Sequence, residues 1–399
     1  MGKMDERMEM LRDEFKARYG DGDLRFFRAP GRVNLLGEHT DYNDGWVLPI
    51  AINRDISIAS RARDDRVVRL YSLDFQEETE FSLDDIAPST TRKWSNYVRG
   101  IALELEKRKI RLKGMDAVLQ GNVPIASGLS SSAAMEIGFA LAFQGLNGFD
   151  MAPVEMALLA QKTEHEFIGV MSGIMDQFIS RMGQKDHALL IDCRSLESRA
   201  IPLSGALGAG RGSNRDLVFV VGDTRVRRAL ADSEYNIRRR QCEEAVRLLE
   251  PALPGIKALR DVSLEQLQAH EQLLPEEVRK RARHVVTEDE RVLQGVAALE
   301  GGDMAAFGRC MNGSHDSLRD DYEVSSAELD TIVKAARSVP GVLGSRMTGA
   351  GFGGCTVSLV EKTAVEKLTQ VVKGRYQAAF HKEPSLYVCT AENGAHEVK

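Results

Sequence analysis

Residues 28–42 form the stretch of the sequence that is densest in side chains able to do chemistry, and they read Arg-Ala-Pro-Gly-Arg-Val-Asn-Leu-Leu-Gly-Glu-His-Thr-Asp-Tyr. Glycines let a backbone turn tightly and approach a ligand. A guanidinium, two carboxylates and an imidazole this close together offer the donors and acceptors that a polyhydroxy ligand requires. A polar turn with solvated charges stays open as the alternative, because short motifs have many false matches. The candidates are Arg32, Glu38, His39 and Asp41.

Residues 123–133, Val-Pro-Ile-Ala-Ser-Gly-Leu-Ser-Ser-Ser-Ala, join a Gly/Ser turn to an apolar helix. The first amides of a helix have no partner inside the helix, and the positive end of its dipole attracts anions. Three consecutive serines at that point add hydroxyls, so the pattern predicts a phosphate site without a lysine. Simple helix capping by the serines is the alternative.

A third cluster, residues 344–354, carries glycines at Gly349, Gly351 and Gly354 in GxGxxG spacing. A dinucleotide fingerprint must open a helix, whereas the alternating residues 355–360 that follow read as a strand. The cluster therefore predicts a loop packed close to the phosphates or to the nucleotide-loop backbone, with a plain hairpin turn as the alternative.

The sequence also lacks the GxxxxGK[ST] phosphate loop and the HRD and DFG motifs of protein kinases. If the protein uses ATP, it belongs to another kinase class.

The composition narrows the classes of function. With 53 basic and 59 acidic residues well mixed along 399 positions, the chain has no extended positive field for nucleic acid or an anionic membrane. Five scattered cysteines suggest neither a disulfide framework nor a zinc site, and no segment approaches the length of a membrane span. We expect no nucleic-acid or membrane partner and a cytoplasmic location.

The elements that must position these clusters read as a mixture of helices and short strands. Helical spacing is found at 4–19, 95–109, 133–146, 163–182 with a break near 169–173, 232–318 and 364–376. Strand patterns are found at 56–59, 67–71, 117–120, 187–192, 217–221, 355–360 and 385–389. The length favours two domains, and the glycine-rich stretch 204–213 is the predicted boundary. This pattern indicates an α+β fold.

The three clusters, in this order, resemble the three motifs of the galactokinase, homoserine kinase, mevalonate kinase and phosphomevalonate kinase (GHMP) superfamily. Residues 31–43 are similar to the sugar signature of the galactokinases in particular. Further matches are Gly-Ile-Met-Asp-Gln at 173–177, residues 187–194, and Ser-Glu-Tyr-Asn at 233–236 followed by 238–242. The likeness spans nearly the whole chain.

The resemblance implies transfer of the γ-phosphate of ATP to the C1 hydroxyl of galactose, the first committed step of galactose catabolism. Asp176 would be the catalytic carboxylate, with Arg32 beside it to keep it ionised and to offset phosphoryl charge. The resemblance further implies a set of sugar-binding residues: Glu38, His39, Asp41, the backbone of Gly173, and Tyr235.

For the nucleotide, the resemblance implies Mg²⁺ held by Ser132 and Glu164, a hydroxyl and a carboxylate suited to a hard ion that keeps waters and phosphate oxygens. Trp94 would lie near the adenine. The implied phosphate-loop residues are Pro124, Ser127, Gly128, Leu129, Ser130, Ser131, Ser132 and Ala133. Two departures from the family are Ala126, where relatives often have glycine, and Ser172, where cysteine is common.

The fold implied by the resemblance is the two-domain α+β GHMP kinase fold, with domains at 1–203 and 214–399 and the site in the cleft between them. Galactose and ATP are the expected partners of a monomer or weak homo-oligomer. Alternatives are a related kinase of N-acetylgalactosamine, galacturonate or arabinose, and a galactose- and ATP-binding regulator without turnover. A mevalonate-type or homoserine kinase is disfavoured, because those substrates do not require Glu38, His39 and Asp41.

Overall fold

The computed structural model describes residues 3–124, 128–203, 216–226 and 231–398. Its strands, in chain order, are β1 (Arg25–Asn34), β2 (Trp46–Val47), β3 (Pro49–Ala62), β4 (Val67–Ser72), β5 (Glu77–Ser82), β6 (Met115–Gly121), β7 (His187–Asp192), β8 (Ser198–Pro202), β9 (Leu217–Asp223), β10 (Val342–Thr348), β11 (Cys355–Glu361), β12 (Ser385–Cys389) and β13 (His396–Val398).

The α-helices of the described residues are α1 (Lys3–Tyr19), α2 (Asn96–Lys107), α3 (Ser131–Asn147), α4 (Pro153–Thr163), α5 (Met175–Met182), α6 (Ala231–Leu249), α7 (Leu264–His270), α8 (Glu276–Gly301), α9 (Met304–Asp320), α10 (Ala327–Arg337) and α11 (Val365–Phe380). A π-helical turn, Glu164–Ile168, follows α4 directly. The helices predicted at 4–19, 95–109, 133–146 and 364–376 are confirmed, with ends shifted by a few residues, and 232–318 divides into several helices. The prediction at 163–182 holds only for the π-helical turn and α5, and α4 and α10 were not predicted.

The largest sheet has the strand order β13-β1-β3-β6-β4-β5 and is antiparallel except between β4 and β6. Helices α2, α3 and α4 cover one face, where Ile58, Val98 and Phe139 share one buried cluster. Helix α1 covers the other face and packs Phe15 against Val118. Burial of these apolar stripes is the main stabilising contribution, because removing apolar surface from water is favourable.

A second sheet, in the order β10-β11-β9-β12, organises the C-terminal half. Strand β11 is buried along almost its whole length, as expected for a central strand with both faces covered. Helices α10 and α11 pack on one face through Ile332 and Leu368. On the other face Val357 joins a cluster that includes Leu36 and Leu48 from the N-terminal half.

The last strand, β13, belongs to the first sheet, because it pairs with β1 through Phe26 and Val398. Residues 396–398 therefore pack with the N-terminal half. The division at 1–203 and 214–399 stays a prediction, and its glycine-rich boundary lies outside the described residues. Among the helices that the structure describes, none is long and apolar enough to cross a membrane.

Candidate active site

A cavity of about 450 Å³ opens between the two halves of the chain. The N-terminal half contributes most of its wall, and Tyr235, Gly349 and Ala350 contribute from the C-terminal half. It is lined by these residues predicted from the sequence: Arg32, Glu38, His39, Trp94, Gly128, Ser130, Ser131, Ser132, Glu164, Asp176 and Tyr235. The fold thus brings residues as far apart in the chain as Arg32 and Ala350 around one space.

Arg32 and Asp176 form the central pair of this cavity. Asp176 lies in the first turn of α5, and Arg32 extends from β1. Arg32 Nε donates to Asp176 Oδ1 at 2.8 Å and Nη2 donates to Oδ2 at 2.9 Å. Ser130 Oγ also donates to Oδ2, and Arg32 Nη1 donates to the Gly128 carbonyl. Two parallel charge-assisted hydrogen bonds fix the carboxylate in both position and orientation.

The Gly/Ser turn that is predicted to bind phosphate meets this pair at the N-terminus of α3. Ser130 adopts a left-handed backbone conformation, and the helix begins at Ser131. Gly31 packs so closely that an added Cβ would lie 2.5 Å from the Leu129 carbonyl oxygen, which explains the glycine at that position. The Arg32 amide donates to the same carbonyl at 3.1 Å. The turn at residues 128–130 and the Arg32–Asp176 pair are therefore joined through the backbone as well as through side chains.

Not every residue predicted for the nucleotide faces the cavity. Leu129 and Ala133 are fully buried, Leu129 in the core that joins the two halves. Pro124 is not part of the cavity wall that the described residues form, and Ser127, with Ala126, lies outside the described residues. Roles in nucleotide binding for Pro124, Ser127, Leu129 and Ala133 stay predictions.

At the other end of the cavity, buried polar groups gather around Tyr235. The amide of Gly173 donates to the Tyr235 hydroxyl at 3.3 Å. His39 lies in the wall, with its ring centroid 5.5 Å from that of Tyr235 and its Nδ1 2.8 Å from the Tyr42 hydroxyl. Glu38, 2% exposed, also reaches the wall. This end can bind several hydroxyl groups.

Asp41 lies behind this group and is not in the wall itself. It contacts Gly173 so closely that an added Cβ there would lie 1.8 Å from Asp41 Oδ2. Burial, together with repulsion from the neighbouring carboxylates Asp176 and Glu38, raises the pKa of Asp41 to about 7, although hydrogen bonds from the Tyr42 and Met175 amides oppose the increase. This carboxyl group is therefore poised to change charge near neutral pH.

Glu164, at the start of the π-helical turn, stands beside Ser132 and Ser172. It is 7% exposed and accepts a hydrogen bond from the Ser172 hydroxyl. Burial, and then repulsion from Asp176, raise its pKa, while Ser172 and Ser132 oppose the increase. Glu136 is also buried nearby, and its Oε1 has no hydrogen-bond partner among the described residues. Glu164 and Glu136 are two buried carboxyl groups near the Ser132 hydroxyl, and such oxygen atoms are the ligands that a hard metal ion prefers.

The end of the cavity around Trp94, where the adenine is predicted to bind, contains residues that were not predicted from the sequence. Phe75 stacks on Trp94 with ring centroids 5.9 Å apart and planes within 12°, and Tyr97 and Met135 complete this apolar part of the wall. Phe75 is an exposed aromatic side chain in a turn of polar residues, which was the one available signal. Flat apolar walls suit the faces of a purine base.

Three family models match the chain. They are the galactokinase galactose-binding signature at residues 13–62, the GHMP kinases N-terminal domain at 96–184 and the GHMP kinases C-terminal model at 296–378.

Relatives and solved structures agree with these models over almost the whole length. The chain is 50% identical to the galactokinase of Roseiflexus sp. (strain RS-1), over 97% of this chain and 96% of the relative. It is 49% identical to that of Chloroflexus aggregans, over 95% of each chain. The crystal structure of Lactococcus lactis galactokinase complexed with galactose superposes with a TM-score of 0.93 at 36% identity, over 98% of this chain and 100% of that one. The chain belongs to the galactokinase family of the GHMP kinases.

Proposed function

We propose that this ATP-dependent sugar kinase transfers the γ-phosphate of ATP to the C1 hydroxyl of galactose, which gives galactose 1-phosphate and ADP. The observation that carries the proposal is the Arg32–Asp176–Ser130 contact. It lies between the hydroxyl-binding end of the cavity and the serine-rich N-terminus of α3, which is where a sugar oxygen and a terminal phosphate must meet.

Asp176 acts on the proton of the attacking hydroxyl. A carboxylate has about four acceptor sites. Arg32 uses two of them and Ser130 a third, so about one remains for the C1 hydroxyl of the sugar. An acceptor held this rigidly orients the oxygen for in-line attack and can take its proton.

Arg32 and the loop act on the phosphoryl group. The guanidinium bridges Asp176 and the Gly128 carbonyl. It can therefore offset negative charge as the phosphoryl group moves from the ADP oxygen to the C1 oxygen of the sugar. The amides at the start of α3 and the hydroxyls of Ser131 and Ser132 can donate hydrogen bonds to phosphate oxygens. Phosphoryl transfer needs this kind of positioning and electrostatic stabilisation more than it needs covalent chemistry.

Mg²⁺ is the cofactor that the carboxylates beside Ser132 fit, and Ser132 and Glu164 would hold it. Bound there, it would neutralise phosphate charge. The described residues contain no cluster of three or more histidine, cysteine or carboxylate side chains arranged as a metal site. That agrees with an ion that takes most of its ligands from water and phosphate.

The variant Glu164→Gln should weaken Mg²⁺-dependent nucleotide binding. We expect its affinity for Mg²⁺–ADP, measured by calorimetry, to fall by at least roughly 10- to 100-fold. That is the loss typical when a residue that hydrogen-bonds to a metal ligand is replaced, and loss of the ligand itself should cost no less. Galactose affinity should be unchanged. Glu166→Gln, a neighbouring exposed carboxylate paired with lysines, is the matched control. Equal Mg²⁺–ADP affinity in the two variants would exclude Glu164 as a ligand.

Galactose binding should depend on pH through Asp41. Its pKa of about 7 means that the acceptor carboxylate is protonated progressively as pH falls below 7. The dissociation constant for galactose should therefore rise toward acid by up to about tenfold per pH unit. Calorimetry between pH 5.5 and 8.5 checks this, with ATP affinity measured in parallel.

Asp289 provides the matched control for this pH dependence. Burial raises its pKa to about 7 as well, but it accepts from the Trp46 amide and packs against Gly45. Asp41 instead packs against Gly173, whose amide donates to Tyr235 in the cavity wall. Asp289→Asn should keep the wild-type pH profile, whereas Asp41→Asn should bind galactose weakly at every pH. A flat profile in the wild-type enzyme would contradict this role of Asp41.

Substrate choice is tested by measuring ADP formation with galactose, glucose, N-acetylgalactosamine, galacturonate and arabinose. Buried polar groups reject an epimer strongly, because a misplaced hydroxyl leaves them unpaired. We therefore expect kcat/KM to be highest for galactose. A higher value for another sugar would favour a related sugar kinase, and galactose binding without ADP formation would favour the regulator.

A further inference from the structure

Arg346 is a fully buried cation that the resemblance gave no role. It extends from β10, 0% exposed, toward the hydroxyl-binding end of the cavity. Its Nη2 donates to Glu38 Oε2 at 2.7 Å, and its Nη1 lies 3.3 Å from the Asn34 carbonyl oxygen. A guanidinium is rarely buried completely unless it is paired, so this contact with a residue 308 positions away is a specific one.

Glu38 is held by further residues of the C-terminal half. The Gly349 amide, in the hairpin turn between β10 and β11, donates to Glu38 Oε1 at 2.7 Å. His284 Nε2 lies 3.0 Å from the Glu38 carbonyl oxygen, and Glu288 Oε1 accepts from the Gly37 amide at 2.9 Å. Both the backbone and the carboxylate of Glu38 are therefore fixed by a part of the chain far from the sugar signature.

The hydrogen-bond inventory of Glu38 leaves room for a ligand. Its carboxylate has about four acceptor sites. Three of these sites are used by Arg346, by the Gly349 backbone amide and by the side-chain amide of Asn34 at 3.3 Å, so about one site remains. Glu38 also lines the cavity, so the remaining site can accept from a hydroxyl group there.

Arg346 stabilises the charged form of Glu38 more than the other hydrogen-bond donors do. Burial raises the pKa of Glu38, and Arg346 is the strongest influence opposing that increase, ahead of Arg32 and the Gly349 amide. Without Arg346 the pKa of the buried Glu38 would rise further, and the protonated carboxyl group accepts hydrogen bonds less well.

From these contacts we propose that Arg346 is a positioning residue for sugar recognition, which holds the Glu38 carboxylate in place as an acceptor for a sugar hydroxyl. The proposal rests on the proposed function, because it concerns the sugar end of the same cavity. It assigns the third glycine cluster a task in sugar binding: Arg346 and Gly349 both belong to residues 344–354, and their hydrogen bonds run to Asn34 and Glu38.

Arg346→Lys tests the proposal, with Arg281→Lys as the matched control. Arg281 is also buried in the C-terminal half, but it bonds to Gln241, the Asp321 carbonyl and Glu323 and is not part of the cavity wall. Lysine keeps the charge but loses the planar fork. We expect KM for galactose to rise about tenfold or more in Arg346→Lys, with KM for ATP within about twofold of wild type. Arg281→Lys should leave both KM values unchanged.

A double-mutant cycle keeps the test informative if Arg346→Lys folds poorly. Arg346→Met combined with Glu38→Gln removes both buried charges together, which costs less than leaving one unpaired. If Arg346 acts through Glu38, the double variant binds galactose as weakly as Glu38→Gln alone, within about twofold.

Two results would overturn the proposal. One is a galactose KM in Arg346→Lys that equals the wild-type value. The other is fully additive losses of galactose affinity in the double variant, which would mean that Arg346 acts elsewhere. Wild-type enzyme that failed to phosphorylate galactose would instead contradict the proposed function, so the two failures are distinguishable.

Discussion

The variant Asp176→Asn should lower kcat for galactose by about 10²- to 10⁴-fold, the range that a positioned general base contributes. Asparagine keeps the shape of the side chain but loses the negative charge that accepts the proton and pairs with Arg32. Galactose and ATP should still bind, because neither the α3 N-terminus nor the buried polar groups around Tyr235 are changed. Coupled ADP release measures kcat, and calorimetry measures both affinities.

A matched control for this variant is Asp192→Asn. Asp192 also pairs with an arginine through both oxygens, Arg260, but it lies outside the cavity wall. Its variant should keep kcat within about twofold of wild type even if the protein is less stable. If Asp176→Asn retained more than a tenth of the wild-type kcat, Asp176 would not be the catalytic carboxylate.

The variant Gly173→Ala should give the second largest loss, a decrease in kcat/KM for galactose of about 100-fold. The new Cβ would overlap Asp41 Oδ2 at 1.8 Å, so either the carboxylate or the backbone before Asp176 must move. Loss of a hydrogen bond to a charged group costs about 1.5–3 kcal/mol, which corresponds to roughly 10- to 150-fold. Steady-state kinetics with galactose varied at saturating ATP measures the effect.

Gly301→Ala is the control for introducing a methyl group. Gly301 ends α8, and an added Cβ there meets nothing within 4 Å. We expect wild-type kinetics in this variant and unchanged ATP affinity in both. Wild-type galactose kinetics in Gly173→Ala would show that Asp41 has room to move without loss of function, and would contradict the close packing described above.

Much of the fold could be predicted from the sequence because its elements are locally determined. Helix α3, for example, begins at Ser131 after a Gly/Ser turn and carries continuous apolar residues. Strands with mixed patterns were harder to predict. Strand β1 contains Pro30 and Gly31 and was missed, although the first residues of the sugar signature lie on it.

The site could be predicted only where a motif collects its residues locally. Arg32, Glu38 and His39 come from one stretch, and residues 130–132 come from another. Arg346, Glu136 and Phe75 were missed because their roles arise from tertiary contacts that local spacing does not encode. The ion pair of Arg346 with Glu38, for instance, depends on how the β10–β11 hairpin packs against the sugar signature.

One departure from the family now has a structural explanation. Ser172, where cysteine is common, donates a hydrogen bond to Glu164 and opposes the increase in the pKa of that carboxylate. A thiol is a weaker donor than a hydroxyl. The serine therefore helps to keep Glu164 in the ionised form that a metal ion requires.

In the proposed reaction Asp176 accepts a hydrogen bond from the C1 hydroxyl of galactose while the α3 N-terminus holds the phosphates. A crystal structure with galactose and a non-hydrolysable ATP analogue tests it most directly. We predict the C1 oxygen within hydrogen-bond distance of an Asp176 carboxylate oxygen, about 2.6–3.2 Å, and the triphosphate against residues 128–132. A different sugar hydroxyl at Asp176, or phosphates bound away from that helix, would contradict the claim.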